Sequence, residues 1–259
     1  MFARILAISH NTFRETIRDR VLYNLVVFVL LLTTGAIFIG ELSAAHEAKI
    51  IVDLGLSAML LFGAFISIFV GVALVYKEIE RRTVYAIFAK PVGRGEFLVG
   101  KYLGLCLTLL INVAVMSAGV SLALIYVKGG WDSLALRIWP AALFIYLELM
   151  ILTAVALLFS SFSTPALSAL LAFFVFIIGH FSNDLKTFAS SMESAGARLL
   201  FTALYYLLPN FSIYSFITPA AYGQTPSPQA IFAALAYAIA YLAVLLATAT
   251  LIFRRRNFK

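Results

Sequence analysis

A chain of 259 residues that is 63% hydrophobic and 12% charged falls outside the range of soluble domains, in which about 25% of residues are charged. Its mean hydropathy of +1.01 excludes an ordinary soluble enzyme. No segment is long and polar enough to form a separate soluble domain, so residues 1–259 read as a single membrane domain. The net charge of +7 says less than its distribution along the chain.

Residues 1–20 predict an interfacial helix. Phe2, Ile5, Leu6, Ile8, Phe13 and Ile17 recur mostly three or four apart, and Arg4, Arg14 and Arg18 take other positions. Such a helix lies in the headgroup plane with its apolar side in the lipid. About twenty mixed residues before the first long apolar run argue against a secretory signal. A spanning helix needs about 20 apolar residues to cross about 30 Å of hydrocarbon. Six segments meet that length: Val21–Gly40, Ile50–Tyr76, Tyr102–Val127, Ile138–Phe159, Pro165–Phe181 and Gln229–Phe253. The fifth is the shortest. Between the second and third spans lies the charged stretch 77–101, and between the last two a long loop, 182–228. Within that loop Ala197–Leu208 is apolar but too short to cross, which predicts a re-entrant or interfacial helix. The fold class is therefore all-α.

Lys and Arg counts orient the spans. Arg4, Arg14, Arg18 and Arg20 fall on one side with Lys77, Arg81, Arg82, Lys90, Arg94 and Lys101. Arg254, Arg255, Arg256 and Lys259 join them. The other side holds only Lys49, Lys128, Arg137, Lys186 and Arg198. Fourteen against five predicts both termini in the cytoplasm, and six spans return the chain to the side on which it starts.

Several local patterns carry weaker messages. Gly95–Tyr102 fits the phosphate-binding pattern GxxxxGK, but Tyr102 stands where Ser or Thr must ligate magnesium. No βα unit surrounds it, so ATP used by this protein is expected on another chain. Gly100 and Gly104 form a GxxxG pair suited to close helix packing. Glu148 is the one acidic residue deep in a span. Such groups pair, hydrate or face the bundle interior, and it reads either as a polar contact in a transport path or as a structural hydrogen bond. Asn112 and Thr153 share both readings. His180 and Asp184 stand at i, i+4, yet two ligands do not make a metal site, and His10 and His46 lie elsewhere. The Ser160–Thr164 turn before Pro165 offers hydroxyls for capping helix ends. The lone Cys106 lies in an apolar run and forms no intrachain disulfide. No catalytic constellation is present, so an intramembrane enzyme ranks lowest. A membrane scaffold or sensor that recruits a soluble partner through its basic loop is the alternative to transport.

The charged loop carries a resemblance. Glu78, Glu80, Thr83, Lys90-Pro91-Val92, Arg94, Phe97 and Gly100-Lys101 resemble the cytoplasmic loop of type-2 ABC-transporter permeases. The six spans, the interfacial first helix, the long last outer loop and the basic ending Phe253–Phe258 extend the likeness along the whole chain. Arg82 departs from the family pattern, which has Gly before Thr. Within the family the loop looks most like permeases of the multicopper-enzyme-maturation type. The resemblance implies the transmembrane subunit of an exporter in the cytoplasmic membrane of a prokaryote. It implies two separate ATPase subunits that bind ATP and magnesium, a second permease copy or homologue, and no cofactor on this chain. Membrane lipids surround it, and no nucleic acid is expected. Glu78, Glu80, Arg82, Thr83, Pro91, Arg94, Gly100 and Lys101 become the implied ATPase-docking residues. A coupling helix over Glu78–Ala89, ended by Pro91, would relay motion of the motor to the spans. The apolar, sparsely charged spans suit a lipid or hydrophobic substrate. By resemblance its route lies between two permeases near the second and fifth spans.

Overall fold

A computed structural model describes residues 2–17, 27–28, 31, 34–35, 47–80, 93–192 and 194–255. All regular structure among them is helical. Helix α1 spans Phe2–Thr16. Helix α2 (Glu47–Phe65) runs through a π-helical turn, Ile66–Val70, into α3 (Gly71–Glu80). Helix α4 covers Arg94–Lys128, a short α5 covers Leu134–Arg137, and α6 covers Trp139–Ser160. Helices α7 (Pro165–His180), α8 (Ser182–Ser191) and α9 (Ala195–Leu207) follow. A 3-10 turn at Phe211–Tyr214, α10 (Ile217–Ala221) and α11 (Pro228–Arg255) complete the order.

Four of these stretches are long and apolar enough to cross a membrane: Glu47–Leu74, Arg94–Lys128, Leu134–Ser160 and Pro228–Arg254. Two bent pairs also qualify when each is taken together. Helices α7 and α8 meet at 69°, and Ala195–Leu207 meets Phe211–Ala221 at 50°. Each pair is a broken span or a re-entrant loop. The first predicted span, Val21–Gly40, lies almost wholly outside the described residues, as do residues 81–92.

Helix α6 is the hub. Of its span window 72% is buried, against 22% for α11, so α6 is central and α11 peripheral. Helices α3, α4, α7 and α11 all pack on it. Close approach is made at small residues: a Cβ at Gly63 would stand 2.3 Å from the Leu149 side chain, and one at Gly71 would stand 3.2 Å from Ala156 Cβ. Small side chains at helix seams let backbones approach when lipid supplies no hydrophobic drive. The hydroxyls of the turn after α6 cap its last carbonyls. Ser160 Oγ donates to Leu157 O at 2.9 Å, Ser161 Oγ to Leu158 O at 2.6 Å, and Ser163 Oγ to Phe159 O at 3.0 Å.

Two helix ends and one pair of residues bear on the sequence reading. The second span ends at Leu74, close to Tyr76, and its helix runs on to Glu80. The third span does not start at Tyr102. Its helix begins at Arg94, where Gly93 N donates to Glu96 Oε2 at 3.2 Å and Phe97 N to Gly93 O at 3.0 Å. An acidic side chain folded back on the first orphan amide is a helix-start device that a hydropathy window cannot register. His180 and Asp184 do not share a helix face either, because α7 ends at His180 and the chain turns at Phe181.

Candidate functional site

Helix α1, the start of α4 and the end of α11 converge at one corner of the bundle. Among the described residues α1 makes its contact chiefly along α4. The seam is the Gly100/Gly104 pair. A Cβ on Gly100 would come within 2.7 Å of Ile8 Cγ2, and one on Gly104 within 2.6 Å of Ser9 O and of Thr12 Cβ. The small polar ridge Ser9, Thr12 and Thr16 of α1 is buried there, while Phe2 and Leu6 stay exposed. That division is what a helix lying against lipid needs.

Charge ties the corner together. Lys101 is 3% exposed, and its ammonium stands 3.4 Å from Glu15 Oε2 of α1. Arg4 reaches Glu96 at 3.8 Å. Arg94 Nη1 donates to Arg254 O at 2.7 Å and Phe253 O at 3.4 Å, so a cation caps the orphan carbonyls at the end of α11. Phe97 and Phe253 stack with centroids 6.3 Å apart.

The docking residues implied by the sequence divide accordingly. Arg94, Gly100 and Lys101 sit in this corner, held by contacts within the chain. Glu78 and Glu80 lie on the last turn of α3. Arg82, Thr83 and Pro91, with most of the expected coupling helix, lie outside the described residues. The GxxxxGK-like stretch is part of α4. From Phe97 on its amides enter the helical ladder, the first of them donating to Gly93 O, and its lysine is turned to Glu15, an arrangement unlike the phosphate-wrapping loop.

A second polar feature lies inside the bundle. Glu148, on α6, is 1% exposed. His180, the last residue of α7, places Nε2 at 3.3 Å from Glu148 Oε1. The approach has the distance of an ion pair without the alignment of a hydrogen bond. His180 Nδ1 is 3.0 Å from Phe176 O, which fixes the proton on Nδ1 and leaves Nε2 facing the carboxyl. Phe176 and Phe211 flank the imidazole at 4.7 and 5.8 Å, and Gly179 admits Pro209 O and the Phe211 ring where a Cβ would meet them at 2.8 and 2.5 Å.

Sequence reasoning named Glu148 and His180 separately and paired His180 with Asp184. The pairing across two helices had no local signal. Asn112 Nδ2 donates to Thr108 O at 2.9 Å, and Thr153 Oγ1 donates to Leu149 O at 2.8 Å. Both are ordinary back-bonds along a helix, although Asn112 Oδ1 is buried without a partner. Among the described residues no cluster of three or more His, Cys, Asp or Glu could hold a metal ion.

Long apolar helices around a central α6, with a charged corner at one end, define a multi-pass helical membrane protein. The sequence model of the ABC-2 family transporter proteins matches residues 6–258. The chain belongs to that family. It is a permease subunit of an ABC transporter, a class that associates with an ABC ATPase. No curated protein matches the sequence.

Proposed function

We propose that this chain is the membrane half of an exporter, working as a pair of permeases with two ATPase subunits in the cytoplasmic membrane of a prokaryote. The family match over 6–258 carries this reading, and the fourteen-to-five charge asymmetry supports cytoplasmic termini. ATP and magnesium belong to the partner ATPase. Motor motion enters through 77–101. Arg94, Gly100 and Lys101 then act by fixing that segment to α1 and α11, so that a push on the loop moves the corner as a body. The narrower likeness to permeases of multicopper-enzyme maturation rests on this loop alone.

The substrate route is proposed along the second and fifth spans, for a lipid or hydrophobic solute. Both spans carry irregularities. The second has the π-turn Ile66–Val70, a feature frequent at functional sites, with a buried and unpartnered Ser67 Oγ. The fifth breaks by 69° beside His180. Their exposed faces are apolar, with Phe65 and Phe69 on one and Leu170, Phe173 and Phe174 on the other.

Affinity purification of the tagged chain from its native membranes tests the reading. A nucleotide-binding ATPase should copurify in stoichiometric amount, and Glu80→Lys should reduce its recovery severalfold without reducing permease yield. Recovery of the chain alone, or unchanged recovery with both Glu80→Lys and Arg94→Glu, would overturn it in favour of a scaffold.

A further inference from the structure

At the end of the bundle opposite Arg94 there is an open cleft of about 550 Å³. Helix α4 is on the order of 50 Å long at about 1.5 Å per residue, so this cleft and the charged corner lie at opposite faces of the bundle. Lys49 at the start of α2, Lys128 at the end of α4 and Arg137 at the end of α5 all line it, with Asp132 and Tyr222. By the charge count these are three of the five basic residues on the sparsely charged side. Topology alone gives no reason for cations there, and still less for chain segments this far apart to bring them to one place.

The local contacts hold the cations at the cleft without neutralising them. Lys49 Nζ donates to Tyr222 Oη at 2.5 Å. Arg137 Nη1 donates to Gly223 O at 3.2 Å. Adjacent residues of one turn thus fix both. That turn depends on Gly223, whose φ of 74° suits glycine. Among the described residues neither Lys49 nor Arg137 is within ion-pair distance of a carboxylate, whereas Lys128 pairs with Asp132. Asp132 is held below the ordinary carboxylate range first by the Lys128 hydrogen bond and then by the Leu134 amide, so it stays charged. Three cations against one anion leave a surplus of two positive charges. A guanidinium has five donors and an ammonium three, so each keeps donors for a ligand.

We infer that this cleft is an anion site for a phosphate ester. Several oxygens on one centre can accept from Lys49 and Arg137 together, and charge-assisted contacts of this kind are the strong ones. The volume lies within the usual range for small-molecule sites, about 300–1,000 Å³. The same chemistry is offered by the headgroup of an anionic phospholipid or by a soluble phosphate ester. The site does not depend on the transport reading, because it needs neither ATP nor a motor.

The full chain in phosphatidylcholine nanodiscs provides the test. Two probes are compared: phosphatidylglycerol mixed into the disc, retained lipid being counted by native mass spectrometry, and glycerol 3-phosphate added to the buffer, read by Trp131 fluorescence in a Trp139→Phe background. Saturable binding of at least one is expected. Lys49→Gln with Arg137→Gln should weaken it by about tenfold or more, since hydrogen bonds to charged groups are lost. Lys186→Gln with Arg198→Gln removes equal charge elsewhere and should change it little. Asp132→Asn should tighten binding, which no folding defect can mimic. Lipid retention that glycerol 3-phosphate does not displace assigns the headgroup, and binding of glycerol 3-phosphate assigns a soluble ester. Absence of saturable binding by either probe, equal losses in the two double variants, or binding not tightened by Asp132→Asn would overturn the site.

Discussion

Glu148 and His180 show how a polar group is kept within an apolar bundle. With Nδ1–H directed at Phe176 O, the imidazole presents Nε2 to the carboxyl at 3.3 Å. An amide at the same position can donate to Nε2. Glu148→Gln should therefore keep assembly and thermal stability near wild type. Glu148→Leu removes the carboxyl that Nε2 faces, but the His180 side chain is 29% exposed, so water can take its place and the loss should stay below about 1 kcal/mol. The comparison is read by the melting temperature of the purified chain. A Gln variant that assembles normally but loses transport-coupled ATPase activity in the complex would move the pair from structure to the substrate route. Both residues could be picked out in the sequence as polar groups in apolar runs. Their partnership could not, because it joins positions 148 and 180 through helix packing.

Among the elements, α1 and α4 form a close seam, and it is made by absence of side chains. A Cβ at position 104 meets α1 backbone oxygen at 2.6 Å, which a rotamer change cannot relieve. Gly104→Val should push α1 off α4 and cost about 1–3 kcal/mol, as overpacking does. It should also expose Arg14 to trypsin at concentrations that leave wild type intact. Gly119, with nothing within 4 Å of its would-be Cβ, is the control, and Gly119→Ala should leave both readouts unchanged. The GxxxG spacing was legible in the sequence, but its partner helix was not. The spacing says that something comes close, while the choice of α1 depends on the chain folding back from a span that separates the two in sequence. Helix α7 has the opposite history. Its shortness was visible, and the structure shows where it comes from: the apolar run stops where the chain turns by 69° into α8.

For the molecule as a whole, orientation is the testable property. Cys106 is 3% exposed, so the native chain gives little background to an impermeant thiol reagent. Cysteines at His10, Gly93 and Asn257 should be protected in intact cells, and those at Ser133 and Ser194 should react. Ser9 is a poor site because it is buried against α4, where a thiol would be silent on either side. External labelling of Gly93→Cys would reverse the charge-based orientation and remove the motor-docking role with it.

Composition and periodicity determined that this is an all-α membrane protein, because a chain in lipid must satisfy its backbone within each segment and spend most residues on apolar surface. The loop residues around Pro91 and Arg94 pointed to the permease family through a pattern that is contiguous in sequence. Tertiary structure alone decided which helix occupies the centre, that Lys101 turns to Glu15, that Glu148 meets His180, and that Lys49, Lys128 and Arg137 share one cleft. The physical reason is the same in each case. Hydropathy and local spacing report a residue's own environment, whereas these contacts join segments tens of residues apart, and only the packing of the helices determines which of them meet.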